Sequence, residues 1–229
     1  MSLLRQLFQG ELPKLVMFDL DGTLLDSVPD LAAAVDRTLL DLGRPAAGAD
    51  KVRNWVGNGA RVLVRRALAD GIEHDGVDDQ LAAQALELFM QHYAESHDLS
   101  QVYPGVQQTL DWLREQDVEL ALVTNKPERF VAPLLDQKQL GGYFRWIIGG
   151  DTLPQQKPDP AGLLHVMKMA RVEPACALFV GDSRTDVQAA KAAGVSCVAL
   201  SYGYNHGRPI AEEKPDVVLD SLSGLMQAR

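Results

Sequence analysis

Residues 15–27 read LVMFDLDGTLLDS, an unbroken apolar run from Leu15 to Phe18 that stops on the carboxylate of Asp19. Such a run bounded by charge is the pattern of a parallel strand buried on both faces. Ligands of open α/β sheets bind outside the carboxyl ends of such strands, and there the chain places Asp19, Asp21, Gly22 and Thr23. Two acids one residue apart project to the same side of an extended backbone. They repel each other unless a cation or a shared proton relieves them, so the pattern suggests a metal and an anionic substrate. Turn chemistry accounts equally well for Asp-x-Asp-Gly taken alone. A calcium hand fits less well: its loop wants glycine at the sixth position and a helix before it, whereas the sixth residue from Asp19 is Leu24 and a strand precedes.

The remaining chain supports a soluble globular protein. It has 229 residues, 46% hydrophobic and 23% charged, and no apolar run near the roughly 18 residues of a membrane span. A net charge of −9 argues against a nucleic-acid partner. An acidic protein that handles an anion must concentrate positive charge locally, from a divalent ion and one or two Lys or Arg side chains. Leu3, Leu4, Leu7 and Phe8 fall at helical spacing, but no small-residue cleavage site follows, so a secretory signal is not expected. Cys176 and Cys197 lie at or in apolar, strand-like segments, which predicts free thiols in a reducing cytoplasm.

After Ser27 the pattern changes to helical. Pro29 and Asp30 open a helix whose Leu31, Val35, Leu39 and Leu42 recur until Gly43; Val62, Leu63 and Leu68 mark another, and Leu81, Leu86, Leu88 and Phe89 a third. No period-two strand is legible before Glu119. Far more chain therefore separates the first two strands than the roughly 30 residues of a whole crossover unit. We read 28–99 as an inserted helical cap domain, beside the acidic pair and so a candidate lid, with residues 1–27 and 100–229 forming a discontinuous α/β core. A helical appendage that only buries core surface is the alternative. From Tyr103 onward, strands at Leu120–Val123, Trp146–Ile148, Ala177–Gly181, Cys197–Leu200 and Val217–Leu219 alternate with helices beginning at Pro104, near Glu128, at Pro160 and at Val187. That succession predicts a Rossmann-like, doubly wound parallel sheet.

Three further segment ends carry polar groups. Thr124-Asn125-Lys126 follows one strand, where a hydroxyl and an amide can donate to phosphate oxygens or simply open a helix. Lys157-Pro158-Asp159-Pro160 offers a cation in a stiffened loop, able to neutralise a nucleophilic carboxylate and a phosphoryl group, or to be an ordinary surface lysine. Gly181-Asp182-Ser183-Arg184-Thr185-Asp186 supplies a second acidic pair, hard oxygen ligands suited to Mg²⁺, with Asp186 equally able to cap the following helix.

In their order and spacing, Asp19-Leu20-Asp21-Gly22-Thr23, Thr124-Asn125, Lys157-Pro158 and Gly181-Asp182-Ser183 with Asp186 resemble the four motifs of the haloacid dehalogenase-like superfamily. Dehalogenases of that family lack the second acid of the first motif, so Asp21 points to phosphoryl transfer. The resemblance implies Asp19 as nucleophile, Asp21 as general acid and base, Mg²⁺ held by Asp19, the carbonyl of Asp21 and Asp182, Thr124 and Lys157 on the phosphoryl oxygens, and Asn125, Ser183 and Asp186 in support. Within the superfamily, Trp55-Val56-Gly57-Asn58-Gly59-Ala60 and Tyr202-Gly203-Tyr204-Asn205 are similar to segments of the bacterial phosphoglycolate phosphatases. That branch implies a small carboxylated phosphomonoester as substrate. Asn58, Arg61 and Arg65 are cap candidates for contacting it, with plain surface arginines as the alternative. A phosphatase of another small ester such as a sugar phosphate, a β-phosphoglucomutase-like mutase, and a signalling receiver domain are the rival readings. The receiver is disfavoured by the paired acids and the large insertion.

Overall fold

The computed structural model describes residues 2–95 and 98–227. The chain begins with α1 (Leu3–Leu7) and β1 (Leu15–Phe18), then a two-residue strand β2 (Leu25–Asp26). Four helices follow: α2 (Val28–Asp41), α3 (Ala49–Trp55), α4 (Ala60–Ala69) and α5 (Asp79–Ala94). After β3 (Gln101–Val102), helices and strands alternate: α6 (Val106–Glu115), β4 (Glu119–Val123), α7 (Val131–Gln137), β5 (Trp146–Ile148), α8 (Ala161–Ala170), β6 (Ala177–Gly181), α9 (Arg184–Ala193), β7 (Ser196–Leu200) and β8 (Val217–Leu219).

Six strands form a parallel sheet in the order β5-β4-β1-β6-β7-β8. The chain winds from β1 outward through β4 and β5, then returns to β6 on the other side of β1 and winds outward again. The order reverses at β1, which makes its carboxyl end the crevice of the fold. Phe18 pairs with Leu122 on one neighbour and Val180 on the other, so the three central strands end level.

Why these strands read as unbroken apolar runs follows from where alternate side chains go. Val16, Phe18, Leu120, Leu122, Leu178 and Val180 point into a core with Leu110 and Leu113 of α6 and Leu134 and Leu135 of α7. Leu15, Met17, Ala121, Val123, Ala177 and Phe179 point to the opposite face, against Leu163 and Val166 of α8 and Val187 and Ala190 of α9. All four β1 residues are fully buried, each contributing about 1.5–3 kcal/mol by leaving water.

Helices α2 to α5 have their own core of Val35, Leu39, Val52, Leu63, Val64, Phe89 and Tyr93, which reaches the sheet-bearing part through Phe130 and Tyr204. Their two connections run side by side. β2 and β3 pair antiparallel, Leu25 opposite Val102, and Asp30 in the first turn of α2 is fully buried, accepting from the backbone N–H groups of Leu99 at 3.1 Å and Ser100 at 2.7 Å.

The sequence reading missed β2 and β3, because two-residue strands are too short to show a period. It opened two helices off by a few residues. α6 starts at Val106, after Gly105 in a left-handed conformation, and α9 starts at Arg184 with Ser183 and Asp186 as a reciprocal capping box. A 3₁₀ turn over Glu128–Phe130 precedes α7.

Candidate active site

At the crevice, β1 delivers Asp19 and Asp21, β4 delivers Thr124, Asn125 and Lys126, and β6 delivers Asp182 and Ser183, while Lys157 arrives from the loop ahead of α8. Asp19, Thr124, Asn125, Lys126, Lys157, Asp182, Ser183 and Asp186 are all buried. Burying so many ionisable groups is costly unless each finds a partner, and the partners are in place.

Lys157 Nζ donates to Asp186 Oδ1 at 2.7 Å and lies 2.8 Å from Asp19 Oδ1. That second contact is an ion pair off hydrogen-bond alignment, so Asp19 Oδ1 is buried without an aligned donor. Burial depresses the Lys157 ammonium, but Asp186 and Asp19 outweigh it and hold it above its usual range. The other oxygen of Asp186 accepts from the backbone N–H groups of Asp182 at 3.1 Å and Ser183 at 2.9 Å, and from the Ser183 hydroxyl at 2.6 Å. Asp186 thus caps α9, the alternative the sequence offered, and also pairs with Lys157.

Asp182 takes one donor on each oxygen: Thr23 Oγ1 at 2.6 Å and the Tyr204 backbone N–H at 2.6 Å. The turn after β1 presses against it. A Cβ on Gly22, whose φ is +89°, would sit 2.3 Å from Asp182 Oδ2, so any other residue in this turn is strained and must displace that carboxylate.

Oxygens of Asp19, Asp182 and Asp186 lie within 4.8 Å of one another. Burial, with Asp186 and Asp19 nearby, raises the Asp182 carboxyl well above the ordinary range. Burial likewise pushes Asp19 up to about 7, with Lys157 pulling the other way. Clustered hard oxygens, an acceptor lacking an aligned donor and carboxyls that resist ionising together fit a hard divalent cation. Asp186 carries the Lys157 ammonium on one oxygen and three donors on the other. Asp182 has a single donor on each and Asp19 Oδ1 has no aligned donor, so Asp19 and Asp182 keep the greater capacity to hold it.

Asp21 turns away from this cluster. Lys126 Nζ donates to its Oδ1 at 2.9 Å and its Oδ2 at 3.1 Å, and also lies 4.8 Å from the centre of the Tyr93 ring. Burial lowers the Lys126 pKa, yet Asp21 and Tyr93 more than compensate and raise it. Motif reading alone assigns Lys126 no role, whereas the structure places it on Asp21. Its position directly after Thr-Asn at a strand's carboxyl end was the available signal.

Above these groups is a cavity. Its floor holds Asp19, Asp21, Thr124, Asn125 and Lys126; its roof includes Leu31, Val56, Gly57, Leu63, Phe89 and Tyr93 from the helical insertion. Thr124 Oγ1 accepts from the Lys126 backbone N–H at 3.2 Å, which leaves its own proton to donate. Asn125 Nδ2 reaches both the Gly57 carbonyl at 3.1 Å and the Lys157 carbonyl at 2.9 Å, joining roof to floor.

The cap candidates fall elsewhere. Asn58 does not line the cavity, although Gly57 and Gly59 beside it do, and its carbonyl accepts from Gln156 Nε2 at 3.2 Å. Arg61 is exposed and, with Arg65, lines a separate, wider groove along α5. Arg65 is already engaged with Asp79 at 2.7 Å and the Val77 carbonyl at 2.8 Å.

Comparison with known proteins finds relatives along nearly the whole chain. The family described as "Haloacid dehalogenase-like hydrolase" matches residues 16–200. The chain is 72% identical over 226 residues to a protein of Pseudomonas putida named "Phosphoglycolate phosphatase", covering 99% of this chain and 83% of that one. It is 69% identical over the same shares to "Phosphoglycolate phosphatase 1" of Pseudomonas aeruginosa. The crystal structure of a predicted phosphoglycolate phosphatase from Haemophilus somnus matches with a TM-score of 0.85 at 39% identity, over 92% of this chain and 95% of that one.

Proposed function

The chain belongs to the haloacid dehalogenase-like hydrolases, and from that membership we propose that it is a Mg²⁺-dependent phosphatase that hydrolyses 2-phosphoglycolate to glycolate and inorganic phosphate. One observation carries the chemistry: Asp19 is buried between Lys157 and the Asp182 side, at the floor of a cavity that also holds Asp21.

Asp19 attacks phosphorus in line, forming an aspartyl phosphate as the bond to the ester oxygen breaks. Asp21 gives its proton to the departing alkoxide, then takes one from the water that attacks phosphorus and frees Asp19. Lys157 and the Thr124 hydroxyl stabilise the charge that builds on the phosphoryl oxygens. Asp186 keeps the Lys157 ammonium beside Asp19, and Ser183 and Asn125 hold the surrounding loops. Asp19, the Asp21 carbonyl and Asp182 would hold Mg²⁺, which when bound supplies charge neutralisation between nucleophile and phosphate. Helices α2 to α5, as a cap over residues 28–99, exclude water from the cavity.

Two free thiols, Cys176 and Cys197, support a reducing cytoplasm as the site of action, and no helix among the described residues is long and apolar enough to cross a membrane. The test is free-phosphate release across a panel of small phosphomonoesters, with and without EDTA. Multiple turnovers on 2-phosphoglycolate, lost in EDTA, are expected. Isomerisation of a sugar phosphate without phosphate release would indicate a mutase instead.

A further inference from the structure

The cavity holds two carboxylates, Asp19 and Asp21, yet among the described residues that line it the sole Lys, Arg or His is Lys126. Lys157, the other buried lysine, is occupied between Asp186 and Asp19 and is not part of that lining. Arg61 and Arg65 line the separate groove, Arg53 pairs with Asp26, and Arg66 donates to the Trp55 carbonyl. Much of the remaining wall is apolar, from Leu31, Val56, Leu63, Phe89 and Phe130. A second anionic group on a substrate inside this space therefore has one cationic side chain to meet.

Its position is restrictive. Lys126 Nζ is 2.9 Å from Asp21 Oδ1, and the oxygen that leaves phosphorus must come within hydrogen-bond reach of Asp21 to be protonated. In a glycolate ester the carboxylate carbon is two bonds from that bridging oxygen, so the carboxylate oxygens stay within roughly 3–4 Å of it at any torsion. Once the ester oxygen meets Asp21, the carboxylate is beside the ammonium. Burial beneath the Tyr93 ring and the paired contacts with Asp21 hold Lys126 in that place, so little order has to be created on binding.

We propose that Lys126 is the specificity-determining residue of this enzyme, reading the carboxylate of an ester whose phosphorylated carbon bears a carboxyl group. This rests on the reading that the chain hydrolyses small phosphomonoesters through Asp19 and Asp21. A charge-assisted contact in a dry pocket discriminates strongly against an analogue that lacks the charge. A neutral ester offers the ammonium no second anion and leaves it to Asp21 alone.

The experiment changes the charge on each side of the contact in turn. 2-Phosphoglycolate and its carboxyl methyl ester are compared on the wild type and on Lys126→Met. The wild type is expected to favour the free acid by about 100-fold in kcat/KM, mostly through KM. In Lys126→Met the free acid is expected to lose about 1000-fold and the methyl ester about 10-fold, so that the preference vanishes. Equal losses on both substrates would overturn the proposal and reduce Lys126 to support of Asp21. A wild type that favours neither substrate would also overturn it. A wild type that hydrolyses neither would instead overturn the function on which it rests. Should Lys126→Met not fold, Lys126→Arg decides: its planar fork moves the charge off the ammonium position, so an unchanged preference would overturn the proposal and a reduced one would support it.

Discussion

Lys157 Nζ donates to Asp186 Oδ1 at 2.7 Å, with both side chains closed off from solvent. The pair joins the loop ahead of α8 to the first turn of α9, and the same ammonium faces the nucleophile. Asp186→Asn preserves shape but must turn an amide NH₂ toward either the ammonium or the three donors on the other oxygen. A loss of about 3 kcal/mol in stability is expected from the uncompensated buried charge, with a fall of about 100-fold in kcat. Urea unfolding and phosphate release measure the two, and a variant with unchanged values of both would show that the pair is dispensable.

Asp19→Asn separates catalysis from stability. An amide cannot act as this nucleophile, so turnover is expected to disappear. The metal-free fold should gain stability at pH 8, because the carboxyl it replaces is pushed up to about 7 by burial and is ionised there against that burial. Lys157 keeps Asp186 as its partner. Melting temperatures in EDTA test this, and a variant less stable than the wild type at pH 8 would contradict it.

The same carboxyl sets a pH dependence. Its folded pKa, about 7, lies above the ordinary value of 3.8, so between those values the folded chain binds more protons than the unfolded one. The stability this contributes is present in full below the lower value and is lost as pH rises through the upper one. Asp182 is raised in the same direction and adds to the trend. Mg²⁺ binds the ionised carboxylates, so its addition should raise the melting temperature more at pH 8 than at pH 5. Equal shifts at the two pH values would remove Asp19 and Asp182 from the metal site.

Much of this arrangement was legible because the sheet is covered on both faces. Strands such as Leu15–Phe18 are then apolar at every position, and the first charge marks where the sheet stops. The pairing of Lys126 with Asp21 was not legible: the two are 105 residues apart, and only the parallel adjacency of β1 and β4 brings them together. Arg61 shows the opposite limit. It sits near the right loop, but two residues before Leu63, about 200° around the helix at 3.6 residues per turn. When Leu63 faces the cavity, Arg61 faces away from it.

Gly22 offers the sharpest test of how the turn after β1 shapes the metal site. Its φ of +89° places it where only glycine is comfortable, and an added Cβ would meet Asp182 Oδ2 at 2.3 Å and the Tyr204 ring at 2.8 Å. Gly22→Ala should cost about 1 kcal/mol from backbone strain alone. It should also displace the Asp182 carboxylate, which Thr23 and the Tyr204 backbone N–H otherwise hold in place. Asp19, Lys157 and the cavity walls are left as they were, so the defect should appear in metal affinity before it appears in chemistry. The Mg²⁺ concentration for half-maximal activity is expected to rise about tenfold or more, as for disturbed support of a metal ligand, with kcat largely recovered at saturating Mg²⁺. A magnesium titration of steady-state phosphate release measures both. A variant with wild-type magnesium dependence but a depressed kcat would place the function of this turn on Asp21 rather than on Asp182.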